Sequence, residues 1–311
     1  ADNFTYMVEL ADFEVLPGVF DFTMLDKVMD AAADYGCKVT VRLCHADNNG
    51  LYLWPKYSRQ ISYDGTEIEQ HYYGAYAVSD PRIVKVWLDA YRALFDRYDK
   101  HTAFQGYYVM QPGGEWTVID KPWMGTIAGY SEETVKGFRK YLQENLKLSL
   151  TDLNKRWGTK YKSWDEVNSP QPTLKLGVQP DLRMCWVDFS QFKSSMAREI
   201  WYPLAINSIR EYDNDRITIS YSNPKTAKLL YGKLDYGHNG GNHYGHDLGQ
   251  YVEGWEKGKI GWITEPHHPQ RWAAYGDPAE RGWVLDWSTY VMTAQAGAGG
   301  ANLHVYYMPK P

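Results

Sequence analysis

Short runs of apolar residues recur along the chain, separated by longer stretches in which apolar positions return every three or four residues. The first pattern predicts strands and the second helices, and their alternation from end to end is the mark of a parallel sheet built from βα units. Strands are expected at Phe4 to Leu10, Lys38 to Cys44, Phe104 to Gln111, Arg216 to Ser222, Lys233 to Tyr236, Ile260 to Glu265 and Asn302 to Tyr307. Helical spacing covers Thr23 to Tyr35, Pro81 to Tyr98, Glu132 to Asn145, Asp188 to Tyr212, Asp247 to Lys257 and Ala279 to Gln295, with Leu150 to Trp157 as a further short helix. Ser131 ahead of two glutamates supplies a helix start, and Gly36 and Gly297 are natural C-terminal stops.

This set is one strand short of a closed eight-stranded barrel. The expected fold class is therefore α/β, a (β/α)8 TIM barrel whose first βα unit is absent from this chain. No shift of composition marks a linker, so residues 1–311 read as a single catalytic barrel domain, part of a longer protein, with an excursion around residues 150–180. Loops that leave a barrel in this way often shape a substrate site.

Composition narrows the class of activity. The chain is 44% hydrophobic and 23% charged with a formal net charge of −5, which excludes disorder and gives no electrostatic reason for a nucleic-acid partner. No apolar run approaches the roughly 18 residues of a membrane span. Cys37, Cys44 and Cys185 fit neither a disulfide framework nor a zinc knuckle and are expected to be small buried hydrophobes. Residues Ala1 to Val8 lack the basic start of a signal peptide. No Walker sequence and no Gly-x-Ser-x-Gly elbow occurs, and the glycine-rich stretch Gly297 to Asn302 precedes a strand, so it is expected to be a helix-to-strand turn. Neither a cofactor nor a metal is expected. The cluster from His238 to Asp247 has imidazoles but no familiar metal spacing, and sugar or sulfate hydrogen bonding and plain loop structure both remain open for it.

Barrel enzymes carry their chemistry at the carboxyl ends of the strands. The expected strand ends collect Arg42, His45 and Asp47; Glu115 and Trp116; Tyr221 and Asn223; Asp235, His238, Asn239 and His243; Glu265, His267 and His268; and Tyr306 and Tyr307. Two acids stand out. Glu115 follows an apolar strand broken by Pro112-Gly-Gly114, and Glu265 closes Ile260-Gly-Trp-Ile-Thr-Glu265 just before a proline. A pair of carboxyls facing each other across a barrel mouth is what glycoside hydrolysis requires: one protonates the leaving oxygen and the other attacks the sugar carbon. The chain also holds 13 Trp and 26 Tyr, rings with a polar handle that suit a sugar face. Trp116 and Trp272 are expected as sugar platforms, whereas Trp87, Trp157, Trp201 and Trp283 fall in helical patterns and are expected to pack.

Several stretches together resemble glycoside hydrolase family 42, the β-galactosidases. They are Leu16-Pro-Gly-Val-Phe-Asp-Phe-Thr-Met-Leu-Asp26 with Tyr35-Gly-Cys-Lys-Val-Thr-Val41, Arg97-Tyr-Asp-Lys-His-Thr-Ala-Phe-Gln-Gly-Tyr107, Leu153-Asn-Lys-Arg-Trp-Gly158, Glu265-Pro-His-His-Pro-Gln-Arg-Trp272 and Ala294-Gln-Ala-Gly-Ala298. The resemblance implies a retaining mechanism with Glu115 as acid/base and Glu265 as nucleophile. It implies a carbohydrate substrate, for which the candidate binding residues near the expected strand ends are Arg42, His45, Trp116, Tyr221, Asn223, His238, Asn239, His243, His267, Trp272 and Tyr306, and it is compatible with a homo-oligomer. Family members usually carry Asn immediately before the acid/base, where it holds the sugar 2-hydroxyl. This chain has Gly114 instead.

Three readings follow. The first is a retaining hydrolase of β-galactosides. The second is an endo-acting hydrolase of a galactan of the agar or carrageenan type, motivated by Gly114, the aromatic excess and the His-rich loop. The third is a carbohydrate-binding barrel without catalysis. A secreted or periplasmic location goes with a polysaccharide substrate.

Overall fold

The computed structural model describes residues 3–16, 18–44, 61–67, 80–109, 129–171, 180–196, 201–221, 228–239, 259–264 and 300–301. They divide into two compact units, Ala1–Gln105 with Met110–Trp201 and Gly106–Val109 with Tyr202–Pro311.

The first unit contains β1 (Asn3–Glu9), the one-turn α1 (Leu10–Phe13), a small antiparallel pair β2 (Glu14–Leu16) and β3 (Val19–Phe20), α2 (Thr23–Asp34), β4 (Lys38–Cys44), α3 (Pro81–Tyr98) and the first residues of β5 (Phe104–Val109). It continues with α4 (Glu132–Glu144), α5 (Leu150–Trp157) and α6 (Pro180–Ser195). Strands β1 and β4 are parallel and in register from Asn3↔Lys38 to Glu9↔Cys44. Val39, Val41 and Leu43 are buried and so are Thr40 and Arg42, so both faces of β4 are covered, as expected of a strand inside a parallel sheet. Helix α2 turns Leu25, Met29 and Ala32 inward at spacings of four and three, and ends before Gly36, whose φ of 67° is a left-handed conformation that glycine adopts without cost. Helix α3 starts at Pro81, with the Asp80 carboxylate accepting from the Arg82 N–H, and buries one face from Ile83 to Tyr98.

Helices α4, α5 and α6 close around an aromatic core of Phe138, Tyr141, Leu142, Leu153, Trp157, Val167, Cys185, Phe189 and Phe192. Asp188, fully buried, accepts from Arg156 Nε at 2.8 Å, Arg156 Nη2 at 2.7 Å and Trp157 Nε1 at 2.8 Å. A buried carboxylate is tolerable only when paired and hydrogen-bonded, and here it is both. Helix α5 is held at its start by a reciprocal cap between Ser149 and Asp152 and at its end by Gly158 at φ 69°. Burial pushes the Cys185 thiol up to about 12, so it behaves as an inert apolar group.

The second unit takes the rest of β5 and adds α7 (Tyr202–Arg210), β6 (Ile217–Tyr221), β7 (Tyr236–Asn239), β8 (Gly261–Thr264) and β9 (Gly300–Ala301). Its strands run in the order β5-β6-β7-β8-β9, each parallel to its neighbours. Gly106 is required by close approach: a Cβ there would lie 2.0 Å from the Ile217 carbonyl oxygen.

Most expected elements occur within a residue or two of their anticipated ends. The helix expected from Asp188 to Tyr212 opens eight residues earlier, at Pro180, where proline serves as a helix start, and its described residues are α-helical at Pro180–Ser195 and Tyr202–Arg210. The strand expected at Lys233 to Tyr236 is displaced to Tyr236–Asn239. Lys233 and Leu234 close a turn on the Leu230 carbonyl, and Gly237 had weakened the β signal. The glycine-rich turn expected over Gly297 to Asn302 is in part a strand, Gly300 pairing with Ile263 and Ala301 with Thr264. The strand expected from Asn302 to Tyr307 and the helices expected from Asp247 to Lys257 and from Ala279 to Gln295 lie outside the described residues. Trp87, Trp157 and Trp201 are buried, as expected of packing residues, and Cys185 is buried too while Cys37 is only partly covered.

Candidate active site

The lateral register of β6, β7 and β8 brings part of the expected site together. Tyr221 is the last residue of β6 and sits beside His238, which in turn sits beside Ile263. Asn239, the last residue of β7, sits beside Thr264, the last of β8. The chain therefore presents Tyr221, His238 and Asn239 at the carboxyl ends of adjacent parallel strands, and Glu265 is the next residue in sequence after β8.

Arg42 lies within β4 and not beyond it, and is 8% exposed. By strand alternation it shares a face with Thr40 and, through the register, with Met7 and Thr5 of β1. His45, Glu115, Trp116, Asn223, His243, Glu265, His267, Trp272 and Tyr306 lie outside the described residues.

Asp235, expected at the carboxyl end of a strand, instead precedes β7 and sits at that strand's amino end. Its Oδ2 accepts from Arg210 Nη2 at 2.7 Å, from the Thr218 N–H at 2.7 Å and from the Thr218 hydroxyl at 3.2 Å. Arg210 also donates to the carbonyls of Lys233, Asp213 and Arg216. With the Thr218 hydroxyl oxygen at 2.9 Å as a further partner, a guanidinium spread over five acceptors in this way is an anchor for α7 and the loops around β6 and β7.

A second anchor was not foreseen. Tyr107 of β5 donates its hydroxyl to Asp213 Oδ2 at 2.7 Å, while Asp213 Oδ1 accepts from the N–H groups of Asp215 and Arg216. Burial and this hydrogen bond push the Tyr107 phenol far above its ordinary range, so it remains a donor at any working pH. Asp213 and Arg216 could have been flagged as a charged pair three residues apart, but nothing in the sequence links them to Tyr107.

The chain is similar to the catalytic domain of the β-amylase from Paenibacillus polymyxa, with a TM-score of 0.71 and 14% identity over 97% of this chain and 84% of that one. It is also similar to the β-galactosidase from Bacillus circulans sp. alkalophilus, with a TM-score of 0.63 and 17% identity over 96% of this chain and 45% of that one. The fold is thus the α/β TIM barrel of glycoside hydrolases. The family model described as beta-galactosidase, glycoside hydrolase family 42, matches residues 11–239, and the chain belongs to that family. The β-galactosidase BgaB of Geobacillus sp. (strain Y412MC61) is 28% identical over 165 residues, which make up 50% of this chain and 22% of that relative. The match therefore spans about a fifth of the length of that curated relative.

Proposed function

We propose that this chain carries the active site of a retaining β-galactoside hydrolase, with Glu115 as acid/base and Glu265 as nucleophile. What supports the reading is the position of Glu265 in the sequence, the residue that follows the parallel strand Gly261–Thr264, since barrel enzymes carry their catalytic groups just beyond strand ends. Family membership over residues 11–239, a stretch that includes Glu115, supports it.

In this mechanism the Glu265 carboxylate attacks the anomeric carbon while Glu115 gives its proton to the departing glycosidic oxygen, leaving a galactosyl ester on Glu265. Glu115, now ionised, takes a proton from water as that water attacks the same carbon, and Glu265 leaves. Two inversions give net retention. The division of labour requires Glu115 to rest protonated and Glu265 ionised, which their surroundings must enforce. Tyr221, His238 and Asn239 stand on adjacent strand ends and are the groups proposed to hold sugar hydroxyls, with Arg42, His45, Asn223, His243, His267 and Tyr306 as further polar partners. Trp116 and Trp272 are the proposed ring platforms.

The test is turnover of aryl β-galactosides. Glu265→Ala should abolish it, and added azide should restore it with inverted glycosyl azide as the product. Glu115→Gln should lower kcat by about 10²- to 10⁴-fold on substrates with poor leaving groups. Undiminished turnover in either variant overturns the assignment.

A further inference from the structure

Strand β8, which the sequence continues with Glu265, is met at its first residue by the dipeptide Asp235-Tyr236. The Gly261 N–H donates to the Asp235 carbonyl at 2.7 Å, and Gly261 pairs in register with Tyr236. The Tyr236 ring covers the same glycine. A Cβ on Gly261 would lie 2.5 Å from Tyr236 Cε1 and 2.6 Å from Cδ1, closer than such atoms approach. Gly261 has no left-handed φ, so the ring and not the backbone angle demands glycine here.

The ring lies on the face of the sheet turned away from α7. Thr218 of β6 accepts from Arg210 of α7 at 2.9 Å, so strand alternation turns Ile219 to the opposite face, and Ile219 pairs in register with Tyr236. Tyr108 of β5 pairs with Ile219 in the same row, and both are buried. The dipeptide is also fixed from the helix side, because the Asp235 carboxylate accepts from Arg210 Nη2 and from the Thr218 N–H, each at 2.7 Å. One side of Asp235-Tyr236 is thus fastened to α7 and β6, and the other bears on the start of β8.

We infer that Tyr236 is a positioning residue for the proposed reaction, acting with Gly261 to fix the height and rotation of β8 and thereby the approach of the Glu265 carboxylate to the anomeric carbon. The inference rests on the assignment of Glu265 as nucleophile above. Residues an even number apart share a face of an extended chain, and Gly261 and Glu265 differ by four. Attack on carbon tolerates little error in direction, and a misplacement of about 1 Å can cost about 10²-fold in rate. Tyr236 acts through the strand and not through the sugar, so its ring matters and its hydroxyl does not.

Turnover of an aryl β-galactoside by the whole chain tests it. Tyr236→Ala, which removes the ring, and Gly261→Ala, which displaces it, should each lower kcat by about 10- to 100-fold with little change in KM, and Tyr236→Phe should recover most of the loss. Should Tyr236→Ala fail to fold, Gly261→Ala carries the same test. The double variant should lose no more than Tyr236→Ala alone, because the added methyl then meets no ring. Chemical rescue separates positioning from a merely structural role. In a Glu265→Ala background azide attacks the anomeric carbon in place of the carboxylate, the aryl alcohol departs and a glycosyl azide forms. Adding Gly261→Ala there should leave the azide-dependent rate within about twofold. A loss that persists in full under azide, or a rise in KM with kcat kept, would overturn the inference. Azide rescue of Glu265→Ala together with wild-type kcat in both alanine variants would sink it and leave the nucleophile assignment standing. Full turnover by Glu265→Ala without azide would remove that assignment and this inference with it.

Discussion

The Tyr107 hydroxyl and the Asp213 carboxylate meet at 2.7 Å in the interior of the second unit, tying β5 to the turn that leads into β6. Tyr107→Phe keeps the ring and deletes the donor, leaving Asp213 with its backbone N–H partners and Arg216 at 3.4 Å. A buried acceptor that loses one of several donors costs about 1–2 kcal/mol. The urea midpoint should fall accordingly with the slope unchanged, and an unaltered midpoint would show that the hydroxyl contributes nothing.

Asp188 predicts a larger loss. Replacing it with Asn removes the charge that faces Arg156 and presents an amide where Trp157 Nε1 and the guanidinium both donate. Breaking such a pair costs about 2–4 kcal/mol, toward the lower end because Arg156 is 35% exposed. The change in Trp157 surroundings should appear in the tryptophan fluorescence of the folded protein before denaturant is added.

Gly106 and Gly36 separate two reasons for glycine. Gly106→Ala drives a methyl into the Ile217 carbonyl, an atom of a neighbouring strand that cannot move alone, and should cost about 3 kcal/mol or more. Gly36→Ala meets nothing within 4 Å and is strained only by its left-handed backbone, so it should cost about 1 kcal/mol. Chemical denaturation of the two variants should rank them in that order.

Asp26 gives a pH signature. The Arg97 guanidinium, bonded to it at 2.6 Å, holds its carboxyl below the usual value of 3.8, and the Tyr98 hydroxyl adds to the effect. Because the folded form ionises more readily than the unfolded one, the stabilisation is complete above the unfolded value and is lost as pH falls through the lower, folded value. Asp26→Asn should lower the melting temperature at neutral pH and converge on the wild type in acid. The difference should stay under about 1 kcal/mol, since both groups are partly exposed.

Sequence and structure agree where one physical signal dominates. Helix α3 has an aspartate cap, proline in the first turn and a regular apolar face, and α5 has a serine cap and a terminal glycine, so both occur with the expected bounds. Strand β4 is a run of β-branched and apolar residues and is likewise found where expected. The misses occur where small residues or long-range partners decide. Gly237 and Gly300 lie in strands that are recognisable only from their neighbours. The pair β2 and β3 depends on Glu14, a buried acid that accepts from the Gly18 N–H at 2.7 Å, and short-range periodicity carries no sign of such a contact. Among the candidate residues, Tyr221 ends a strand that the apolar run before it foretells, whereas His238 and Asn239, expected beyond a strand, are the last two residues of β7. Asp235 was misread because the start of its strand was misplaced by three residues, which exchanged one end of the strand for the other.

Asn154, in the last turn of α5, bears on how this protein can vary by mutation. Its one short amide both donates to and accepts from the backbone of Tyr161, as a neighbouring strand would. Aspartate has the length but no donor, serine lacks the reach, and glutamine adds a methylene that shifts both contacts together. The position therefore has no neutral single-step replacement, while the exposed lysines around it are free to be exchanged. The peptide path from Thr159 to Tyr161 is thus set by one side chain of α5, whatever side chains that path displays to solvent.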